Sequence, residues 1–278
     1  MSKQKVWFVT GASRGFGRIW TEAALKRGDK VAATARDPET LKAFADTYGD
    51  SVLPLKLDVT DRDQVFQTVQ EAHQYFGRLD VILSNAGYGY MGALEEVSME
   101  DVKLTFETNI FGTLSVIQAA LPLLRAQGSG HILTLSSIGG VVSFPTGGIY
   151  VATKFAIEAL SEALAGEVAG LGIKVTIIEP GSFATDFRSS MKSVPPMPEY
   201  ETVRKAVFAS FKPEMTGDPA ATPAAILEVV DAEKPPLRLL LGTGPLPLIK
   251  QVYAGRLDTW EKWSAVSNAA QGSLAAKV

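Results

Sequence analysis

Val6-Trp7-Phe8-Val9-Thr10-Gly11-Ala12-Ser13-Arg14-Gly15-Phe16-Gly17, followed by the helical pattern Arg18 to Arg27, is the stretch that decides the fold. The apolar run Val6 to Thr10 reads as a buried strand, and it passes straight into a glycine-rich turn and a helix. Glycines in that turn let the chain bend sharply and let backbone N–H groups at a helix N-terminus approach a pyrophosphate. The spacing is G-x-x-x-G-x-G, not the G-x-G-x-x-G of the long-chain dinucleotide folds, although the strand and helix context is the required one. A tight turn with no ligand is the competing reading.

The same rhythm continues outward. Short apolar runs at Val6 to Thr10, Val31 to Ala35, Val52 to Leu57, Val81 to Ser84, His131 to Ser136, Val175 to Glu179 and Leu237 to Leu241 alternate with longer helical patterns. That alternation predicts an α/β, Rossmann-type, doubly wound seven-stranded parallel sheet with helices on both faces. Asp37 before Pro38 reads as a helix cap, and Thr60 leads a helix over Asp61 to Phe76. Residues 1–278 read as one dinucleotide-binding and catalytic domain. Residues 185–216, rich in Pro, Met and Ser, read as a substrate loop with short helices. Residues 242–278 read as a C-terminal extension that carries Trp260 and Trp263 and frays beyond Ser267.

Composition narrows the function. A formal charge of -3 supplies no field for a polyanion, so nucleic-acid binding is not expected. There is no cysteine and there are only two histidines, His73 and His131, so no metal is expected and both histidines are assigned structural roles. No secretory signal is visible, and the apolar runs are interrupted by Gly, Pro or charge before span length, so no membrane partner and a cytoplasmic location are expected.

The end of the second strand, Thr34-Ala35-Arg36-Asp37, bears on the coenzyme. Folds of this kind bind NAD through an acid at this point and NADP through a cation. Arg36 follows Gly17 by 19 residues, and Arg14 could reach the same 2′-phosphate, so NADP(H) is favoured over NAD(H). The alternative has Asp37 on the ribose of NAD, or Asp37 acting only as a helix cap.

Tyr150-Val151-Ala152-Thr153-Lys154 lies in a helical stretch from Tyr150 to Glu167, which puts Tyr150 and Lys154 on one face. A free phenol titrates near ~10, and an ammonium beside it is expected to favour phenolate and lower that value. Ser137 stands 13 residues upstream, at the end of the fifth strand. No G-x-S-x-G surrounds Ser137 and His131 shares its strand, so a hydrolase nucleophile is not expected.

The chain resembles the short-chain dehydrogenase/reductase family through T-G-x-x-x-G-x-G at Thr10 to Gly17, N-A-G at Asn85-Ala86-Gly87, Asn109, Ser137, Tyr150-x-x-x-Lys154 and P-G-x-x-x-T at Pro180 to Thr185. The matches occur in family order over residues 5–185; residues 186–278 match only in layout. The resemblance implies that Tyr150 is general acid in reduction and general base in oxidation, that Ser137 polarises the substrate oxygen, that Lys154 bonds the nicotinamide ribose, and that Asn109 holds a water on a proton path. It implies coenzyme contacts at Gly11, Ser13, Arg14, Gly15, Phe16, Gly17 and Arg36, at Asp58 and Val59 beside the adenine, at Asn85, Ala86 and Gly87, at Tyr150 and Lys154, and at Pro180, Gly181, Phe183 and Thr185. Taken singly, Ser137 could simply end a strand and Asn109 could be a satisfied helix residue.

Tyr88, Tyr90, Met91, Phe144, Phe183, Phe187, Met191 and Met197 are candidates for an apolar lining, although each could equally fill the core. Residues 85–102 and 179–187 look similar to the hydroxysteroid and retinol dehydrogenase branch. The implied activity is NADP(H)-dependent hydride transfer to or from a bulky hydrophobic carbonyl or alcohol. By the same resemblance a homodimer or homotetramer is expected, formed through helices at about Met99 to Arg125 and Ile149 to Leu171. Two alternatives stay open: a non-catalytic NADP(H)-binding regulatory or redox-sensing protein, and an epimerase or dehydratase that holds NAD tightly.

Overall fold

The computed structural model describes residues 4–187, 189–210 and 213–272. Part of the expected substrate loop (Arg188, Phe211, Lys212) and the end of the expected frayed tail (273–278) lie outside the described residues. Among the described residues, seven parallel strands form one sheet: β1 (Val6–Val9), β2 (Lys30–Ala35), β3 (Val52–Lys56), β4 (Val81–Ser84), β5 (Gly130–Leu135), β6 (Ile173–Pro180) and β7 (Arg238–Leu241). Their order across the sheet is β3-β2-β1-β4-β5-β6-β7, so the direction of winding reverses between β1 and β4. Ligands of open α/β sheets bind outside the carboxyl ends of the strands at such a reversal.

Strand β1 shows why the sheet needs two covered faces. Val6 and Phe8 point into a core shared with α3 (Arg62–Phe76), α5 (Gly112–Gln127) and α6 (Gly148–Val168), while Trp7 and Val9 point into a second core shared with α1 (Gly15–Lys26), α2 (Lys42–Tyr48) and α8 (Pro223–Asp231). Trp20 of α1 is 1% exposed and its indole N–H donates to Thr222 Oγ1 at 2.8 Å, which pins α1 to α8. In α3 the cap is Asp61, which accepts from the Gln64 amide at 3.0 Å, whereas Thr60 was the expected leader. Thr60 instead donates its amide and hydroxyl to Asp58 and completes the preceding turn. Asp37 does cap the turn that starts at Pro38.

Helix α4 (Met99–Phe106) runs through a π-helical turn (Glu107–Phe111) into α5. The continuous helix Met99–Gln127 is long and apolar enough to cross a membrane, which corrects the expectation that every apolar run is interrupted too early; 56% of its most apolar window is buried inside the domain.

Segment 185–216 contains a two-residue strand Lys192–Ser193 paired with Tyr90–Met91, helix α7 (Glu201–Ser210) and short 3-10 turns. The C-terminal extension is more regular than its composition suggested: α9 (Pro245–Lys262) and α10 (Ser264–Ala269) follow β7 and present Trp260 and Trp263 to solvent.

Candidate active site

The glycine turn is built for close approach. Gly11 and Gly15 have φ of 69° and 54°, a region that side chains other than glycine rarely adopt. A Cβ on Gly17 would fall 2.2 Å from the Gly11 carbonyl oxygen, so this glycine serves helix–strand packing. A Cβ on Gly15 would meet only Thr185 Cβ, at 4.0 Å, so the space above it is open. Helix α1 has no side-chain cap at Arg14, which leaves its first N–H groups directed at that space. Together with Thr185 on the far wall, these residues fit a dinucleotide diphosphate.

Beside the cradle, Asn85 donates its amide to the carbonyls of Thr10 and Gly11 at 2.9 and 3.1 Å, and the Asn85 and Ala86 backbone amides donate to Thr10 Oγ1. The side chain of Asn85 is therefore a brace for the phosphate loop. Ala12 N–H bonds the Thr34 carbonyl and thereby fixes the loop, with Ser13 and Arg14, against the end of β2. Arg14 and Arg36 are both exposed there, and among the described residues neither forms an ion pair. Asp37 is occupied, accepting from the Glu39 amide at 3.1 Å. Asp58 has Oδ1 on Thr60, and Val59 packs its side chain toward Gly112. Phe16 stacks on Trp20 and meets Phe183 edge-on, so these two rings wall the cradle, while Pro180 and Gly181 sit at the end of β6, Gly181 against Pro245.

At the ends of β4 and β5 the expected catalytic residues come together. Tyr150 is 8% exposed and its phenol lies beside Ser137, whose Oγ accepts from the Gly139 amide at 3.1 Å. Lys154 lies under the Tyr150 ring, Nζ 5.8 Å from its centroid, and donates to the Leu135 carbonyl at 2.6 Å. Asn109, 1% exposed in the π-helical turn, accepts from Tyr88 N–H and donates to the Tyr88 carbonyl and Thr153 Oγ1. Its side chain braces the Tyr88 loop against the Tyr150 helix. A π turn is a frequent mark of a functional position. Gly87 permits this approach, since a Cβ there would fall 3.0 Å from Asn109 Oδ1 and 4.0 Å from Lys154 Nζ. Thr146, four residues before Tyr150, has φ of 60°, and its carbonyl accepts from Gly92 N–H at 2.7 Å. Such strain in a β-branched residue is usually held in place by a site.

Electrostatics correct one expectation. Burial pushes the Tyr150 phenol up to about 12, with the neighbouring Ser137 hydroxyl pulling the other way. Burial also brings Lys154 down to about 8, opposed by the nearby Glu158. Among the chain's own groups burial therefore sets the direction, and the phenol is protonated at neutral pH. The lining divides as well. Phe187 packs on Tyr150 at 5.4 Å and Met191 crosses Gly89, both near the phenol. Tyr90 is buried and bonded to Asp101, Phe183 packs on Phe16 at the cradle, and Phe144 lies between Gly147 and Gly139, on the Ser137 side.

Glu96 was not singled out from sequence. Its side chain is 1% exposed and accepts from Ala93 N–H, Met197 N–H and both-oxygen contacts of Arg204 on α7, tying segment 185–216 to the loop after β4. Nothing in the Glu95-Glu96 pair distinguishes it from a solvated acidic turn.

With this geometry in place, the comparisons with known proteins agree. The short chain dehydrogenase family matches residues 5–195, and the chain belongs to that family. Among its relatives, oxidoreductase BOA17 of Botryotinia fuckeliana is 40% identical over 95% of this chain and 98% of its own length. A 3-ketodihydrosphingosine reductase of Bacteroides thetaiotaomicron is 36% identical over 90% and 91%. A short-chain dehydrogenase from Streptomyces avermitilis superposes with a TM-score of 0.90 at 39% identity, over 97% and 99% of the two chains. Solved neighbours carry either coenzyme. An alcohol dehydrogenase from Thermococcus sibiricus (27% identity, 87% and 98% covered, TM-score 0.74) is complexed with 5-hydroxy-NADP, and a Burkholderia phymatum fold relative (24%, 93% and 95%, 0.78) is complexed with NAD. The protein is thus an oxidoreductase of the short-chain family acting on a small molecule.

Proposed function

We propose that this chain is an NADP(H)-dependent dehydrogenase/reductase that interconverts a bulky hydrophobic carbonyl and its alcohol. The observation that carries the reading is the buried Tyr150 phenol, beside Ser137 and backed by Lys154, at the same carboxyl end of the sheet as the open glycine cradle. A bound nicotinamide would supply or accept the hydride. The chain's own residues do the rest. Ser137 and Tyr150 together hold the substrate oxygen, and the protonated phenol donates to it as negative charge develops. Lys154, an ammonium at pH 7, stabilises the phenolate left behind. Phe187 and Met191 exclude water from that oxygen. Asn109, buried in the π turn beside Tyr88 and Thr153, would hold a water on the proton path.

Preference for NADP(H) is supported by Arg14 and Arg36 standing free beside an occupied Asp37. Apolar Phe187 and Met191, with a 3-ketodihydrosphingosine reductase among the relatives, support a long-chain or polycyclic ketone over a small polar one. Leu104 and Phe111 are exposed on α4 and the π turn, and a homodimer or homotetramer would cover them. The test is nicotinamide absorbance with NADPH and with NADH over a ketone panel graded in chain length. Faster NADPH oxidation with the longer and aryl ketones is expected. Coenzyme binding with no turnover on any member would favour the sensor reading and overturn this one.

A further inference from the structure

Beneath the site, three carboxyl groups crowd one guanidinium. Arg238, on the edge strand β7, places Nε 3.0 Å from Glu158 Oε2 and 3.4 Å from Glu179 Oε1, and gives Nη2 to Glu162 at 2.8 Å. Glu162 is 61% exposed and solvated, but Glu158 and Glu179 are 8% and 2% exposed. One Nε–H cannot serve both buried groups. Among the described residues, Glu158 Oε1 and Glu179 Oε1 have no conventional hydrogen-bond partner, and neither does Ser136 Oγ. Ser136 borders the same space: a Cβ on Gly140 would fall 2.4 Å from its Oγ and 3.0 Å from Glu158 Cγ.

Two buried carboxylates on one shared cation leave an uncompensated charge, and such a pair takes up a proton instead of bearing that desolvation. A single hydrogen between the two acids gives one orphan oxygen a donor and the other an acceptor. Consistent with this, burial and the adjoining Glu158 carboxylate hold Glu179 well above the usual carboxylate range.

The pair is next to the chemistry. Glu158 lies one helical turn after Lys154, whose side chain is enclosed beneath Tyr150, and Glu179 immediately precedes Pro180. The charged or titratable groups around the pair are Lys154, Glu158 and Glu162 from α6, Glu179 from β6 and Arg238 from β7, with the Ser136 hydroxyl from the end of β5. Arg256 of α9 is committed elsewhere, to the Val141 carbonyl and the Tyr253 ring.

We propose that Glu158 and Glu179 hold one proton between them at neutral pH, and that Glu158 is a positioning residue for Lys154, the negative charge of the pair keeping that side chain in its ammonium form. The kinetic part rests on the role given to Lys154 above; the shared proton does not. Infrared difference spectra of the purified protein across a pH titration read that proton directly. Wild type should show a protonated carboxyl band persisting above the titration range of free glutamate, and Glu179→Gln should abolish it. In pH–rate profiles with NADPH and a ketone that the enzyme reduces, Glu158→Gln should move the alkaline limb of kcat to lower pH by about one unit, with Glu158→Asp restoring it in part. A merely structural role would lower kcat at every pH and leave the limb in place. Absence of the band from wild type at neutral pH overturns the proposal, as does an unmoved limb in folded Glu158→Gln. A band that is present in a protein with no turnover would fault the assignment of Lys154 and leave the shared proton standing; if Glu158→Gln does not fold, the infrared comparison of wild type with Glu179→Gln decides.

Discussion

Gly15 and Gly17 stand two residues apart in one turn, yet alanine at each should fail for a different reason. At Gly17 a methyl would meet the Gly11 carbonyl oxygen at 2.2 Å and Asn85 Nδ2 at 2.5 Å. Neither can retreat cheaply, because Gly11 O is itself an acceptor for Asn85 and Asn85 also holds Thr10. Overpacking against backbone costs about 3 kcal/mol and a lost Asn85 hydrogen bond about 1 more, which corresponds to a fall in Tm of about 10 °C for a chain of this size. At Gly15 the only neighbour is Thr185 Cβ at 4.0 Å, so the penalty is the left-handed backbone alone, about 1–2 kcal/mol or about 4 °C. The methyl would, however, project into the space assigned to the diphosphate. Thermal denaturation and coenzyme fluorescence titration separate the two effects: Gly17→Ala should lose stability first, whereas Gly15→Ala should stay folded and bind NADPH at least about tenfold more weakly. A Gly15→Ala protein with wild-type affinity would show that the diphosphate does not cross this glycine, and a Gly17→Ala protein with unchanged Tm would refute the packing argument.

Arg36→Ala should raise KM for NADPH about 10- to 100-fold by removing a charged hydrogen bond, and should leave KM for NADH in place; equal losses with both coenzymes would contradict the 2′-phosphate assignment. Arg204→Ala strips the guanidinium from buried Glu96 and loosens α7, so KM for the ketone should rise about tenfold while the coenzyme Kd stays constant, and an unchanged KM would mean that other contacts hold this segment. His131 is 4% exposed, donates Nε2–H to a Thr176 hydroxyl that itself donates to Pro236, and is held by burial down to about 3 from an ordinary 6.5. Between those values the unfolded chain binds the proton and the folded chain does not. Stability should therefore fall by up to about 5 kcal/mol as pH drops from 6.5 toward 3, with no effect above, and urea midpoints of His131→Gln should lack most of that slope.

The sheet was legible because a strand buried on both faces must be an unbroken apolar run. Val81 to Ser84 is read to the residue, and the other boundaries shift by one or two where Gly130, Ile173 or Pro180 continues the pairing. The cluster of Ser137, Tyr150 and Lys154 was legible because two of the three share a helix face and the third ends a strand. What sequence could not weigh was competition between physical terms. A lysine near a phenol implies a lowered pKa, but the depth of burial sets the direction. Glu96, Glu158 and Glu179 look like ordinary acids in sequence, and each becomes significant only through partners 108, 80 and 59 residues away. The exposed face of α9 escaped notice because Gly242, Gly244 and the prolines at 245 and 247 read as loop, although Pro245 is in fact the first residue of the helix.

The proton donor is the centre of the account, and a single-turnover experiment on Tyr150→Phe reaches it most directly. Enzyme preloaded with NADPH is mixed with a long-chain ketone, and nicotinamide absorbance is followed with bound-coenzyme fluorescence as a control. Loss of at least about 1000-fold in the rate of NADPH oxidation, with coenzyme affinity unchanged, is the expected result. Oxidation at the wild-type rate in that variant would place the proton donor elsewhere.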